Sequence, residues 1–197
     1  MPSGCLAFIL HAHLPFVRHP EHAEFLEEDW LFEAITETYL PLLLAFDRLL
    51  ADQIPFALTL TLSPTLVTML RDELLVSRYQ RRLARLVQLA DLEVERTQTR
   101  PEELRVAEFY RAHFRELQQA FEQRYGRDLV SAFSRLHAQG NLEIITCCAT
   151  HGFLPLMQAH PEAVRAQVQV AVQHHDRNFG RRPTGIWLAE CAYFPGP

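Results

Sequence analysis

Four apolar segments, each too short for a helix, constrain the fold of this chain more than any other feature of the sequence. Continuous apolar segments of this length are typical of strands that are buried on both faces in a parallel sheet. Helical patterns separate the segments, and strands that alternate with helices favour an α/β fold. The predicted strands are Cys5–Leu10, Phe56–Leu62, Asn141–Thr146 and Ile186–Leu188.

The predicted helices are distributed unevenly between these strands. Asp29 can cap a helix over Trp30–Tyr39, and Pro41 either kinks that helix or begins a second one that reaches about Ala51. After the third strand, one more helix is predicted from Pro161 to about Asn178.

A long helical excursion is predicted between the second and third strands, over about residues 72–139, where the sequence contains no credible strand. Its Arg-rich stretch Arg78–Arg85 is expected to form a solvated helix face. The helices expected in the excursion are Glu73–Thr97, Glu102–Tyr125 and Asp128–Ala138.

Chemically active side chains stand at the ends of all four predicted strands. His11 and His13 follow the first strand, Ser63 the second, His151 the third and Glu190 the fourth. The carboxyl ends of parallel strands meet at one edge of the sheet, where α/β enzymes place their active sites. The sequence therefore predicts one site that these side chains share.

The composition excludes several classes of protein. The formal net charge is −5 and no block of Lys and Arg of the kind that tracks phosphates occurs, which weighs against a nucleic-acid partner. The apolar segment Cys5–Leu10 is too short for a membrane span or a signal peptide, so we expect no membrane association and a cytoplasmic protein. The four cysteines lack a C-x-x-C spacing, which predicts buried, reduced thiols and no disulfide framework.

The residues alone leave the chemistry of the site open. His11, His13 and His151 could supply three nitrogen ligands to a catalytic zinc, with Glu190 as the base of a hydrolase. Alternatively, the same histidines could contact a substrate directly. The neighbours of Glu190 predict that its carboxylate is partly buried.

Two aromatic residues near Glu190 also have two interpretations. Trp187 and Tyr193 could stack on the apolar faces of sugar rings, or they could belong to the core. We expect His174 and His175 to be surface or packing residues.

Three motifs, in order along the chain, resemble the first sequence regions of glycoside hydrolase family 57. A further segment, which contains Glu27–Trp30 and Glu37–Pro41, is most similar to the 1,4-α-glucan branching enzymes of that family. The motifs are His11–Pro15, Gly140–Ile144 with Ala149–Gly152, and Trp187–Tyr193.

The resemblance implies the N-terminal part of an incomplete (β/α)7 barrel of the TIM type. It implies a retaining reaction on α-1,4-glucans, most simply the formation of α-1,6 branches, without a metal or other cofactor. Glu190 would be the catalytic nucleophile. Substrate contacts would come from His11, His13, His151, Trp187 and Tyr193.

The resemblance also implies parts that we expect beyond residue 197. Family members place the general acid, an aspartate, on a later strand and follow the barrel with a helical domain. We therefore expect residues 1–197 to be a partial catalytic domain that is incomplete as an enzyme by itself. Such a chain could pair with a C-terminal half, self-associate through exposed sheet edges, or act only as a glucan-binding module.

Overall fold

A parallel sheet of four strands forms in the order β1-β2-β3-β4, as expected from the sequence. A computed structural model describes residues 4–195 and leaves residues 1–3 and 196–197 outside the description. Each strand pairs with the strand before it in the chain. The strands are β1 Ile9–Ala12, β2 Leu58–Leu62, β3 Leu142–Cys147 and β4 Ile186–Trp187.

The expectation of a fully buried first strand is wrong. β1 begins four residues later than predicted, so His11 lies within the strand and His13 directly after it. Ile9 is 52% exposed and Leu10 36% exposed. The physical reason is position, because β1 lies at one end of the strand order and has a neighbouring strand only on the side of β2.

Seven α-helices are described in residues 4–195, four of them between β2 and β3, which confirms the helical excursion. Within this part of the chain, none of the helices is both long and apolar enough to cross a membrane. The helices are α1 Glu28–Ala34, α2 Leu40–Ala51, α3 Pro64–Leu70, α4 Glu73–Thr97, α5 Pro101–Gln119, α6 Leu129–Ala138 and α7 Pro161–Phe179.

The chain divides into two compact units. Unit 1 contains the sheet and comprises the described parts of residues 1–17, 55–69 and 130–197. Its core contains side chains that are two residues apart on β2 and on β3, because alternate residues of a strand point to the same face of the sheet. Its fully buried side chains include Leu60, Leu62, Leu66, Phe133, Leu136, Leu142 and Ile144.

Unit 2 is helical and comprises residues 18–54 and 70–129. Its core contains the aromatic pair Tyr79 and Phe121, whose rings meet edge to face at 4.8 Å between centroids. The hydroxyl groups of Thr36 and Tyr79 lie 3.1 Å apart within this core. Other fully buried side chains of the unit are Leu31, Leu40, Leu43, Leu75, Leu83 and Leu117.

Helix α2 begins at Leu40 with Pro41 in its first turn and ends at Ala51, which confirms the second helix that Pro41 was expected to begin. Residues Ile35–Tyr39 form a π-helical turn that joins α1 to α2, with the amide of Leu40 donating to the carbonyl of Ile35. A proline inside a helix removes one amide donor and crowds the carbonyl four residues earlier. The wider turn directly before Pro41 relieves that crowding, and the chain remains helical.

Two further expectations for unit 2 are wrong. Helix α1 begins at Glu28, and Asp29 lies inside its first turn, where its carboxylate pairs with Arg82 at 3.1 Å. Arg78 is 7% exposed and forms a 2.5 Å ion pair with Glu28, which is 1% exposed. The Arg-rich stretch is therefore not solvated throughout, because the loop before α1 covers its first member with the backbone carbonyls of His19 and His22.

Candidate functional site

The ends of the four strands converge within unit 1, and they bring together His11, His13, Ser63, His151 and Trp187. The register pairs His11 of β1 with Thr61 of β2, so His13 lies level with Ser63. The Nδ1 atom of His13 is 3.1 Å from the Ser63 hydroxyl. His151 follows β3 and Glu190 follows β4.

Three histidine rings and one indole form a stacked group at this edge of the sheet. The rings of His13 and His151 are nearly parallel, with centroids 3.6 Å apart. His11 contacts His151 through their Nε2 atoms, which are 3.0 Å apart. The indole of Trp187 stacks on His11 at 5.0 Å between centroids, so an aromatic surface continues from β1 to β4.

Burial favours the neutral form of all three histidines. Burial lowers the pKa of His13 to about 4, and the neighbouring charges of His151 and His11 act in the same direction. Burial also lowers the pKa of His11 and of His151, while the negative charge of Glu190 opposes both shifts. Neutral imidazoles can stack closely and can each offer one hydrogen-bond donor and one acceptor to a ligand.

A short turn after β3 orients His151. The amide of His151 donates to the carbonyl of Cys148 at 3.0 Å, and His151 has a left-handed backbone with φ of 55°. Helix α7 holds this turn through the side chain of Gln167, which accepts from the backbone amide of Thr150 at 2.9 Å and donates to its hydroxyl at 2.8 Å. Non-glycine residues rarely adopt this conformation, and such strain concentrates at functional sites.

Glu190 occupies a second left-handed turn, directly after β4. The φ angles of Glu190 and Cys191 are both 54°, and the amide of Cys191 closes the turn on the carbonyl of Leu188 at 2.9 Å. The buried residue Ala189 anchors the turn. The expectation that Glu190 is partly buried is wrong, since its side chain is exposed, because the turn directs it away from the core that Ala189 joins.

The two aromatic candidates differ in their surroundings. Trp187 is half-buried and stacked on His11, as a wall of the site requires. Tyr193 is 76% exposed, and its ring makes no contact with the histidine group within residues 4–195. The structure therefore places Trp187 in the site and leaves Tyr193 at its surface.

The expectation of buried, reduced thiols is confirmed for Cys147 and Cys148 and is wrong for Cys5 and Cys191, which are free but exposed. Burial raises the pKa of Cys147 to about 12 and also raises that of Cys148, which makes both thiols poor nucleophiles.

The metal hypothesis gains no support from the geometry. Within residues 4–195, no three His, Cys, Asp or Glu side chains are arranged to hold a metal ion. The parallel stacking of His13 on His151 directs their nitrogens along separate planes, whereas metal ligands converge on one point.

Sequence reasoning missed Thr65 and Gln167, which hold site residues in place. Thr65 contacts the Ser63 hydroxyl at 3.1 Å, and Gln167 fixes the turn before His151. The signal for Thr65 was its position in the first turn of the helix that Ser63 and Pro64 begin. No local pattern in the sequence indicated Gln167, because it lies on α7, 17 residues after the residue Thr150 that it bonds.

Comparisons with known proteins agree on one family. The model of glycosyl hydrolase family 57 matches residues 7–196. A 1,4-alpha-glucan branching enzyme, TK1436 of Thermococcus kodakarensis, is 37% identical over 194 residues, which are 98% of this chain and 28% of that protein.

Solved structures with the same fold are also longer than this chain. The alpha-amylase AmyC of Thermotoga maritima superposes with a TM-score of 0.92 at 46% identity, over 96% of this chain and 36% of that chain. A branching enzyme of the glycoside hydrolase family 57 type from Pyrococcus horikoshii gives a TM-score of 0.89 at 33% identity, over 96% of this chain and 35% of that chain. The chain thus spans about a third of the length of the proteins that it matches.

Proposed function

Because the chain belongs to glycoside hydrolase family 57, we propose that it carries the nucleophile half of a retaining active site for α-1,4-glucans, with Glu190 as the nucleophile. The observation that carries the proposal is the position of Glu190. Its carboxylate is exposed in a strained turn at the end of β4, within electrostatic reach of His11 and His151. An accessible carboxylate beside neutral hydrogen-bonding rings is suited to attack on a sugar carbon.

In the proposed first step, Glu190 attacks C1 of a glucose unit and forms a glycosyl ester. A second carboxyl group must protonate the departing oxygen, and retaining enzymes hold the two groups about 5–5.5 Å apart. The chain spans about a third of the length of its relatives, so we propose that a part corresponding to the remainder of those proteins supplies this acid. In the second step the acceptor hydroxyl attacks C1 and displaces Glu190 from the sugar, and the carboxylate that gave up its proton in the first step takes the proton of the acceptor.

The proposed roles of the other residues follow from their chemistry. His11, His13 and His151 would bind hydroxyl groups of the glucose that Glu190 attacks, because neutral imidazoles donate and accept hydrogen bonds. The indole of Trp187 would contact an apolar ring face of the substrate. Tyr193, which is 76% exposed, would contact the glucan farther from the reacting sugar.

The finer activity that we propose is α-1,6 branching. Support comes from the similarity to branching enzymes, although AmyC, an alpha-amylase, has the higher identity. A glucose 6-hydroxyl as acceptor gives a branch, whereas water gives hydrolysis, and exclusion of water favours the branch. Localisation in the cytoplasm and a role in glycogen metabolism stay predictions from the sequence.

The test is covalent trapping with an α-glucosyl fluoride that carries a second ring fluorine to slow release of the sugar. Fluoride departs without help from an acid, so the test needs only the nucleophile. We expect native mass spectrometry to show one glycosyl group on the chain, and peptide mapping to place it on Glu190. Glu190→Gln should abolish the adduct.

The matched control is Glu143→Gln, which changes an exposed carboxylate on β3 that bonds Thr59 and Thr184 outside the histidine group. This variant should label like the parent chain. A folded parent chain that takes up no glycosyl group, or an adduct that survives Glu190→Gln, would refute the proposed nucleophile. Glucan binding without any adduct would instead indicate a binding module.

A further inference from the structure

A chain of hydrogen bonds links the ring of His13 to a backbone carbonyl behind the site. The Nδ1 atom of His13 lies 3.1 Å from the Ser63 hydroxyl, which lies 3.1 Å from the Thr65 hydroxyl. The Thr65 hydroxyl lies 3.1 Å from the carbonyl oxygen of Leu14. The amide of Leu66 also donates to the Ser63 oxygen at 3.3 Å, and Ser63 is fully buried.

The protons in this chain can be arranged in one way that satisfies every contact. A carbonyl oxygen only accepts, so the single hydroxyl proton of Thr65 must point to Leu14. The Ser63 hydroxyl must then donate to Thr65. The remaining contact, between Ser63 and His13, requires that Nδ1 of His13 carries the proton.

This arrangement fills every position on the Ser63 oxygen. Its proton goes to Thr65, and its two lone pairs accept from the amide of Leu66 and from Nδ1–H of His13. In the opposite arrangement, Ser63 would donate to His13, and the contact between the two hydroxyls would contain no proton. A buried polar contact without a proton is unfavourable, so the first arrangement is preferred.

We propose that Ser63 and Thr65 are positioning residues that hold His13 in the Nδ1–H tautomer, so that its Nε2 atom accepts a hydrogen bond from a substrate hydroxyl. The tautomer of a histidine is set by the bond that its other nitrogen makes. Within residues 4–195, Nε2 of His13 has no hydrogen-bond partner, and the ring lies in the stacked group beside His151. The nitrogen is therefore available to a ligand.

The identity of the hydroxyl rests on the proposed function, in which the ligand is a glucan. A site built to accept one hydroxyl proton discriminates strongly against a sugar that lacks the hydroxyl, because the acceptor is then left unpaired. Ser63 and Thr65 would thus determine specificity without touching the substrate.

The direct test is the tautomer of His13, measured by two-bond 15N–1H correlation NMR on the folded, 15N-histidine-labelled chain at pH 7.5. We expect the pattern of an Nδ1–H tautomer for His13. An Nε2–H pattern in the parent chain would overturn the proposal, whatever the activity of the protein. This readout needs no sugar, so it stands or falls separately from the proposed nucleophile.

Two variants of Thr65 separate positioning from packing. Thr65→Val keeps the size of the side chain but removes the acceptor for Ser63, whose hydroxyl can then turn to Nδ1 of His13. We expect the tautomer pattern to become mixed or inverted and the affinity for a maltooligosaccharide to fall about tenfold, the effect of one lost hydrogen bond.

Thr65→Ser keeps the hydroxyl and should restore both the tautomer and the affinity. An unchanged tautomer in Thr65→Val would show that the chain of hydroxyls does not control His13. Equal losses of affinity in Thr65→Val and Thr65→Ser, with the parent tautomer retained in both, would assign the effect to packing and contradict the proposal.

Discussion

Removal of one charge from the buried ion pair of unit 2 should destabilise that unit strongly. In Glu28→Gln the side chain keeps its size, but the guanidinium of Arg78 loses its counter-ion. Glu28 is 1% exposed and Arg78 7% exposed, and their atoms lie 2.5 Å apart. Breaking a pair buried to this degree costs about 3–5 kcal/mol, because the remaining charge stays desolvated.

This cost is a large fraction of the roughly 5–15 kcal/mol that stabilises a folded domain. With a urea dependence of about 2 kcal/mol per M, the unfolding midpoint should fall by about 2 M. The chain has two tryptophans, Trp30 on α1 and Trp187 on β4, so fluorescence in a Trp187→Phe background reports Trp30 and hence unit 2. Urea titrations of Glu28→Gln in this background measure the effect.

An exposed pair in the same unit provides the control. Asp91 and Arg115 lie 2.6 Å apart, but they are 40% and 55% exposed, so Asp91→Asn should cost less than about 1 kcal/mol. The double replacement Glu28→Leu with Arg78→Met should recover much of the loss, because a buried pair can be exchanged for apolar side chains of similar volume. Equal effects of Glu28→Gln and Asp91→Asn would refute the argument from burial.

Three further predictions concern unit 1. The pKa of His13 is lowered to about 4, so below pH 6.5 the unfolded chain binds more protons than the folded chain. The free energy of unfolding should therefore be highest above pH 6.5 and fall by about 1 kcal/mol towards pH 4. Urea titrations at several pH values should show this decrease, and His13→Gln should remove most of it. Gly180 ends α7 with φ of 71°, and a Cβ atom at this position would meet open space. Gly180→Ala should therefore lower the free energy of unfolding by about 1 kcal/mol through backbone strain alone, which a lower melting temperature would show. An unchanged melting temperature would contradict the left-handed conformation of Gly180. Gln167→Leu should remove both hydrogen bonds to Thr150 and so release the turn that orients His151. Calorimetry should then show several-fold weaker maltooligosaccharide binding, with little change in the melting temperature. Unaltered binding would show that the turn holds His151 without Gln167.

Local signals in the sequence predicted many of the elements. Helix α4 was predicted at its observed bounds, Glu73–Thr97, because apolar residues recur along it at helical spacing and a break at Thr99–Pro101 follows it. Gly180 marked the end of α7 in the same way. β2, β3 and β4 were located to within two residues at each end. A short apolar segment indicates that a strand is present but does not fix its first and last residues.

The features that were missed depend on contacts between distant residues. Burial of Arg78 requires Glu28, which lies 50 residues earlier, and no local pattern contains that information. The exposure of β1 depends on its place in the strand order. The π-helical turn before Pro41 is a backbone response to a proline that the surrounding helix tolerates.

The site shows the same division. Its members were predicted because strand ends converge in parallel sheets, a rule that needs only the position of each strand. The left-handed turns at His151 and Glu190 were not predictable, since only a few per cent of non-glycine residues adopt that conformation. Exposure of Glu190 follows from its turn and was missed for the same reason.

The strand order of the sheet has a consequence for synthesis of the chain on the ribosome. Because every strand pairs with the one made just before it, each new strand finds its partner already formed, and the sheet can assemble in the order of translation. His11 lies in the first of these strands and His13 directly after it, whereas His151 follows the third strand and Glu190 the fourth. A nascent chain therefore completes its histidine group only after the third strand has left the exit tunnel, and it gains the carboxylate of Glu190 after the fourth.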